Sequence, residues 1–159
     1  MDIKYRPIGI IHSSFSTIEE MPIQPAGAYD SKGFIEVFPD YAPALQDLAG
    51  FSHIYLLYHF HQSEDWQALV IPFLDIVKRG LFATRAPKRP NPIGLSIVRL
   101  ISLKENLLEI ENVDILDGTP LLDIKPYVPD FDNFEVQSIG WLQDASEKVK
   151  NKRSDERFK

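Results

Sequence analysis

Two strand-like segments separated by three residues constrain the fold of this chain more than any other feature. Residues 95–103 and 107–113 are rich in leucine, isoleucine and valine, and only Lys-Glu-Asn lies between them. Apolar segments joined by so short a connection are typical of a β-hairpin. The sequence therefore predicts antiparallel β structure in this region.

Further strands are predicted along the rest of the chain. The clearest lies at 52–61, where SHIYLLYHFH is dominated by β-branched, aromatic and aliphatic residues. Other strands are expected at 5–12, 33–38 and 136–142, with a long loop over 17–32. Asp40 is predicted to cap a short helix over 42–48. Many short strands with one or two short helices indicate a mainly β protein that forms a barrel.

The composition limits the class of protein and its compartment. The chain has 159 residues, of which 44% are hydrophobic, and it contains no cysteine. This length predicts one β-barrel domain over residues 1–143, followed by a mixed-charge tail over 144–159. Disulfides and thiolate metal sites are excluded. No apolar run approaches the roughly 20 residues of a membrane span, and the N-terminus lacks a signal peptide's apolar core, so we expect a cytoplasmic protein.

Positive charge is concentrated in one window of an acidic chain. The formal net charge is −6, which taken alone argues weakly against a nucleic-acid partner. Residues 76–103 nevertheless contain no acidic residue and six basic ones, namely Lys78, Arg79, Arg85, Lys88, Arg89 and Arg99. A charge run of this kind is most often a solvated face, and a binding surface is the alternative.

The sequence RAPKRPNPIGLS, residues 85–96, combines three prolines with three cationic side chains. Each proline fixes its own φ and drives the preceding residue toward extended geometry, so the segment is preorganised. Arg85 and Arg89 carry planar guanidinium groups suited to a carboxylate, a phosphate or stacking on a base. The segment is therefore either a binding loop or a stiff connector with its arginines in solvent.

Three histidines share the parity of the predicted central strand. His53, His59 and His61 would project to one face of a straight strand. His53 lies about 20 Å from His59 in an extended chain, which favours hydrogen-bonded histidines over a metal site. The alternative functional role is a ligand contact by His61 and Gln62, where the strand opens into a loop.

ILDGTPLLDIKPY, residues 115–127, contains the turn-forming sequence Asp-Gly-Thr-Pro. The segment is either a hairpin turn with surface charges or a wall of backbone groups that binds a small ligand. In the second case an aspartate or Tyr127 could accept a proton. The glycine-rich fingerprints of nucleotide-binding proteins are absent from the sequence, so a nucleotide-containing ligand would have to be held by other means.

Together, FATRAPKRPNPIGLS, DILDGTPLLDIKPY and GFSHIYLLYHFHQ resemble the family of S-adenosylmethionine-dependent tRNA methyltransferases. These enzymes methylate N6 of threonylcarbamoyladenosine, beside the anticodon. The resemblance runs from about residue 8 to residue 127. It implies a single-sheeted β-barrel that acts as a homodimer, with the cofactor bound near the subunit contact. Longer members carry a further C-terminal domain, so either the barrel dimer alone selects tRNA or the substrate differs.

The resemblance also implies site residues. Ala86 stands where many members have serine. S-adenosylmethionine is expected to contact Gln24, Pro25, Ala26, His61, Gln62, Arg85, Leu95, Leu116, Asp117, Gly118 and Thr119. The proton acceptor is expected to be Asp117, then Tyr127 or His61. Phosphates of tRNA are expected at Lys78, Arg79, Lys88, Arg89 and Lys125, with Tyr127 or Tyr29 stacking on a base.

Three alternatives are compatible with the same residues. The first is methyl transfer to an acceptor other than tRNA. The second is a dimeric sensor that binds S-adenosylmethionine or a nucleotide without turnover. The third is a histidine-bound metal enzyme of the double-stranded β-helix type.

Overall fold

The barrel is built from six antiparallel strands that close on themselves. The structure, a computed structural model, describes residues 2–17, 30–73 and 75–143. The barrel strands are β1 (Gly9–Ser13), β2 (Lys32–Val37), β3 (His53–His59), β6 (Ile93–Lys104), β7 (Leu107–Glu111) and β8 (Thr119–Pro126). Their order around the barrel is β1-β2-β7-β6-β3-β8. A separate two-stranded sheet is formed by β4 (Leu69–Val70) and β5 (Arg79–Gly80). The mainly β fold class is thus confirmed.

The predicted hairpin is present as β6 and β7. Leu103 pairs with Leu108 and Lys104 with Leu107, and Glu105 adopts a positive φ of 55° in the turn. The strands predicted at 5–12, 33–38 and 52–61 correspond to β1, β2 and β3, with ends shifted by a few residues. Local alternation of apolar residues was sufficient to locate these strands.

The strand predicted at 136–142 was wrong. Residues 133–139 contain no strand, and Gly140–Leu142 form a 3-10 helix. The sixth strand is β8 instead, which pairs with both β1 and β3. Once β8 closes the barrel, no sheet edge is left for another strand to pair with.

The predicted helix was wrong in type and in boundaries. Pro39–Leu45 form a 3-10 helix that already includes Asp40, and no side chain caps its N-terminus. Pro43 lies inside it and has no N–H to donate, which disfavours a regular α-helix. Two further 3-10 helices, Leu48–Gly50 and Leu81–Ala83, and one short α-helix, α1 (Pro129–Asp132), complete the described elements.

Inward-facing residues of the strands form one apolar core. Along β2 and β3 every second side chain is buried, as the two-residue period of a strand requires. The best-buried core residues are Ile11, Ile35, Ile54, Leu56, Val98, Leu108, Ile110 and Leu121. Among the described residues, no helix is long and apolar enough to cross a membrane.

The strand directions define two ends of the barrel. At one end β1, β3 and β7 finish while β2, β6 and β8 begin, and we call this end the barrel mouth. The opposite end, which includes His53 and Pro126, is called the barrel base. The connection from β3 to β6, residues 60–92, and the connection from β7 to β8, residues 112–118, both start and finish at the mouth.

Candidate functional site

Candidate residues from distant parts of the sequence lie in connections that start and finish at the barrel mouth. His61 and Gln62 follow β3, Arg85 lies in the connection that leads into β6, and the turn at residues 116–119 leads into β8. The amide of Phe60 donates to the carbonyl of Pro92 at 2.8 Å, so the two ends of the β3–β6 connection are held together. Gln24, Pro25, Ala26 and Tyr29 lie outside the described residues.

The proline-rich loop is braced by one of its own arginines. The guanidinium of Arg89 donates from Nη1 to the carbonyls of Thr84 and Ala86, at 3.0 and 3.4 Å. The Thr84 hydroxyl donates to the carbonyl of Leu81 at 2.8 Å. Arg85, which lies between the two carbonyls held by Arg89, has an exposed side chain. The loop is therefore rigidified around Arg85, as its prolines led us to expect.

Ala86, the departure from the serine of many relatives, packs in a small apolar cluster. It is buried with Val70 and Leu81, and Phe73 packs against the same cluster. The amide of Ala86 donates to the Thr84 hydroxyl at 3.3 Å. Its methyl group therefore anchors the loop to the small sheet rather than facing a ligand.

The Asp-Gly turn is fixed against the end of β1. Gly118 has a φ of 75°, a conformation that favours glycine. Its amide donates to the carbonyl of Ile11 at 3.0 Å, and the amide of Asp117 donates to the carbonyl of Phe15 at 2.8 Å. The Asp117 carboxylate accepts from the Ser13 amide at 3.1 Å and lies 3.4 Å from His12 Nδ1. Two amides of the turn are thus used to anchor it to β1 and to the residues that follow β1.

His61 is linked to the same turn. Its Nδ1 lies 3.3 Å from the Thr119 hydroxyl oxygen, while that hydroxyl donates to the carbonyl of Leu116 at 2.7 Å. Because the hydroxyl hydrogen is already used, the contact is satisfied when Nδ1 carries the proton. Burial, followed by the charge of His59, lowers the pKa of His61. His61 is therefore neutral, and within the described residues its Nε2 has no hydrogen-bond partner and is able to accept.

A buried carboxyl lies in the mouth, and our sequence predictions did not include it. Asp114 Oδ1 accepts from the Ser96 hydroxyl at 2.7 Å, and Ser96 Oγ lies 3.0 Å from the Tyr58 hydroxyl. All three side chains are buried. Since Ser96 gives its proton to Asp114, the Tyr58 hydroxyl donates to Ser96. The only sequence signal was an aspartate within the otherwise apolar run from Val113 to Leu116.

Arg85 acts electrostatically on this buried network. Burial raises the pKa of Asp114 to about 7, opposed by the Ser96 hydrogen bond, the backbone and the charge of Arg85. Burial also raises the pKa of Tyr58, and Arg85 again acts in the opposite direction. Arg85 therefore interacts electrostatically with this buried network, and Asp114 lies in the same connection as the Asp-Gly turn.

Other candidate residues lie away from the mouth. The amide of Tyr127 donates to the carbonyl of His53 at 3.1 Å, and its ring lies 5.6 Å from that of Tyr55. Tyr127 is therefore at the barrel base, about 25 Å along β8 from Thr119. Lys125 also lies toward the base and pairs with Asp123 at 2.8 Å. Within one chain, the structure does not bring these residues to His61 or Arg85.

Leu95 belongs to the outer surface of the barrel. It is the third residue of β6 and is 50% exposed, whereas the next residue, Ser96, faces inward. Leu95 pairs with Leu57 of β3, and Ile97 pairs with Tyr55. A ligand in contact with Leu95 would have to lie against this outer surface near the mouth.

Several cationic candidates already have structural roles. Arg79 forms an ion pair with Asp75 at 2.7 Å, and its guanidinium lies 5.6 Å from the centre of the Trp141 ring. Arg89 braces the loop as described, whereas Lys78 is exposed. Within the described ranges, no group of three or more histidine, aspartate or glutamate side chains could hold a metal ion.

Known proteins have similar sequences and a similar fold. The family model for the tRNA-methyltransferase O N-terminal domain matches residues 10–133. A probable S-adenosyl-L-methionine-binding protein of Pyrococcus abyssi is 55% identical over 156 residues, covering 98% of this chain and 85% of the relative. The tRNA (adenine(37)-N6)-methyltransferase of Escherichia coli K12 is 34% identical over 152 residues, covering 89% of this chain and 65% of that enzyme.

Solved structures agree with the sequence relatives. The crystal structure of TrmO from Pseudomonas aeruginosa superposes with a TM-score of 0.74 at 39% identity, covering 89% of this chain and 63% of that one. This chain therefore spans most of its archaeal relative but less than two thirds of the bacterial proteins.

Proposed function

Because the chain belongs to the family of the tRNA-methyltransferase O N-terminal domain, we propose that it transfers a methyl group from S-adenosylmethionine to N6 of adenosine 37 in tRNA. The observation that supports this proposal is the electrostatic effect of Arg85 on Asp114, which lies in the same connection as the turn at residues 116–119. The Pyrococcus and Escherichia relatives, by their names, bind this cofactor and perform this methylation, respectively.

The residues of the mouth fit the cofactor chemically. Arg85 offers an exposed guanidinium for the carboxylate of the methionine part. Asp117 and Asp114 place acidic groups near a ligand that carries a positive sulfonium. The carbonyl groups of the turn at residues 116–119 can accept hydrogen bonds from the adenine amino group. When bound, S-adenosylmethionine supplies an electrophilic methyl group that needs no metal and no covalent enzyme intermediate.

The protein's contribution to the reaction is alignment and removal of one proton. Methyl transfer is an in-line displacement, and rigid groups around Arg85 and Gly118 keep the reacting atoms in line. N6 of the acceptor must lose a proton, and His61 and Asp117 are the candidates that lie at the mouth. His61 is the stronger candidate, because its neutral form leaves Nε2 free to accept.

We propose threonylcarbamoyladenosine as the acceptor, since its threonyl carboxylate offers a second anion for the cationic window at residues 76–103. Lys78, which is exposed, would then contact the acceptor or the tRNA phosphates together with Lys88, and Arg79 and Arg89 shape the surface around them. Binding should weaken as the salt concentration rises. We propose a cytoplasmic location, which fits a tRNA substrate.

A homodimer is also proposed, and the outer face of β3 and β6 supports it. Leu95, Ile97 and Ile101 are exposed on this face, next to Tyr55 and Leu57. Covering an apolar surface of this kind is favourable in water. In such a dimer, Tyr127 of one copy could lie near the barrel mouth of the other copy. In light scattering the wild type should be a dimer and Ile97→Glu a monomer. A monomeric wild type would contradict the proposed dimer.

Mass spectrometry of nucleosides tests the enzymatic function directly. Purified protein and S-adenosylmethionine are incubated with tRNA that carries or lacks threonylcarbamoyl groups. The expected result is a methylated product with modified tRNA alone. A product on both tRNAs would contradict the acceptor assignment, and tight cofactor binding without any product would favour the sensor.

A further inference from the structure

Phe82 is an exposed aromatic ring on a rigid segment of the connection from β3 to β6. Its side chain is 79% exposed, and the Arg89 guanidinium carbon lies 5.6 Å from the ring centre. Arg89 is itself fixed by its hydrogen bonds to the carbonyls of Thr84 and Ala86. One face of the ring is thus backed by a fixed cation, and the rest of the ring faces solvent.

The backbone that carries Phe82 is held on both sides. Leu81, which is buried, donates its amide to the carbonyl of Ala68 at 2.9 Å. The indole N–H of Trp141 donates to the carbonyl of Ala83 at 2.8 Å. The exposure of Phe82 is therefore a property of the fold, because its neighbours are fixed and the ring has no place in the core.

The surroundings of Phe82 suit a nucleic acid better than a second protein copy. Residues 76–103 carry no acidic side chain, and Arg85 is three positions further along the same loop. The apolar face suited to a second copy is the outer surface of β3 and β6, where several aliphatic side chains lie together. Aromatic rings combined with cationic groups are the usual means of binding single-stranded bases, and the ring of Phe82 lies beside the guanidinium of Arg89.

We propose that Phe82 is a stacking platform for an unstacked nucleobase next to the target adenosine of the tRNA loop. This inference rests on the proposed function, which places an RNA loop at the mouth. An RNA base in a loop can be displaced from its neighbours and stacked on an aromatic side chain. Every base has a π-face, so Phe82 would contribute affinity and positioning with little sequence preference.

The test compares Phe82→Ala with two reference variants. Phe82→Trp retains a stacking surface, and Phe131→Ala removes a ring of similar exposure, 73%, in α1 at the barrel base. Fluorescence anisotropy measures the Kd for an anticodon stem–loop RNA, and calorimetry measures the Kd for S-adenosylmethionine. Phe82→Ala should weaken RNA binding by about tenfold and leave cofactor binding unchanged. Phe82→Trp and Phe131→Ala should bind the RNA like the wild type.

Abasic substitutions in the RNA identify the stacked base. Each loop nucleotide other than the target is replaced in turn, and the effect of Phe82→Ala is measured again. At one position the abasic RNA should bind wild type and variant equally, because the interaction is already lost. Equal RNA binding by Phe82→Ala and wild type would overturn the proposal. It would also be overturned if Phe82→Ala converted a dimer into a monomer in light scattering, since a second copy would then cover the ring.

The binding measurement needs no turnover, so the two proposals can be separated. RNA binding that depends on Phe82 without methylation would refute the enzymatic function and retain the stacking platform. If the protein methylates tRNA and Phe82→Ala does not change the KM for tRNA, the enzymatic function is retained and the stacking platform is refuted.

Discussion

Replacing Asp114 with asparagine should stabilise the folded protein at alkaline pH and have little effect near pH 4. Burial raises the pKa of Asp114 to about 7 from its ordinary 3.8. Asparagine has nearly the same shape, is neutral at every pH, and can accept the hydrogen bond that Ser96 donates. The substitution therefore removes a buried charge while it retains the bond.

The sign and the size of the effect follow from the proton balance. Between about pH 4 and pH 7 the folded protein holds a proton on Asp114 that the unfolded chain has released. The unfolded state then binds fewer protons, so the stability of the wild type falls as the pH rises through this window. A pKa change from 3.8 to about 7, at about 1.36 kcal/mol for each pH unit, corresponds to about 4 kcal/mol. The variant should gain up to this amount above about pH 8.

Urea denaturation at a series of pH values measures this difference. Asp47→Asn is a suitable control, because Asp47 is exposed and its φ of 65° is one that asparagine tolerates. The stability difference between wild type and Asp114→Asn should grow from about pH 4 to pH 7 and then level off. A difference that stays constant over the whole range would refute the reasoning, since Asp114 would then ionise alike in the folded and unfolded states.

Three further substitutions test the mouth. Arg85→Ala should weaken S-adenosylmethionine binding by about tenfold or more in calorimetry, since a charge-assisted hydrogen bond contributes about 1.5–3 kcal/mol; unchanged affinity would contradict its cofactor role. Burial lowers the pKa of His61, so acidification below that pKa should charge it and weaken binding of the cationic cofactor. His61→Gln should lack this pH dependence. If cofactor binding by the wild type and by His61→Gln had the same pH profile, contact between His61 and the cofactor would be contradicted. Gly94→Ala places a Cβ in the ring of Tyr58 and should cost about 1–3 kcal/mol in urea denaturation. Gly50→Ala, whose Cβ meets nothing, should be nearly neutral; equal costs would contradict the packing argument.

The fold was predictable where its signals are local. The β6–β7 hairpin follows from alternation and a short turn, both of which lie within a few residues. The strand β8 was missed because Pro120, Asp123 and Lys125 have the composition of a loop. Its strand conformation depends on pairing with β1 and β3, which are more than 60 residues away in sequence. Long-range pairing of this kind overrides local propensity.

The candidate site was predictable only in part, for the same reason. Arg85 and the Asp-Gly turn were identified from motifs; the antiparallel topology puts the turn at the mouth, and the charge of Arg85 acts on Asp114 in the same connection as the turn. Asp114 was missed because its burial depends on Ser96, 18 residues away, and on Tyr58 beyond it. Tyr127 was grouped with the site because it is near in sequence to the turn, but an extended strand carries it to the opposite end.

The two arginines of the proline-rich loop illustrate how the structure separates a binding role from a structural one. Arg89 donates hydrogen bonds to two backbone carbonyls, and the ring of Phe82 lies against its guanidinium. Within the described part of the chain, the side chain of Arg85 forms no hydrogen bond or ion pair, yet its charge reaches Asp114. A fully ionised Asp114 would neutralise Arg85, but burial outweighs the attraction of Arg85 and raises the pKa of Asp114 to about 7, so the carboxyl is only partly ionised at neutral pH. The positive charge of Arg85 is therefore not fully balanced by Asp114. Its guanidinium can bind an external anion, as a carboxylate-binding residue must.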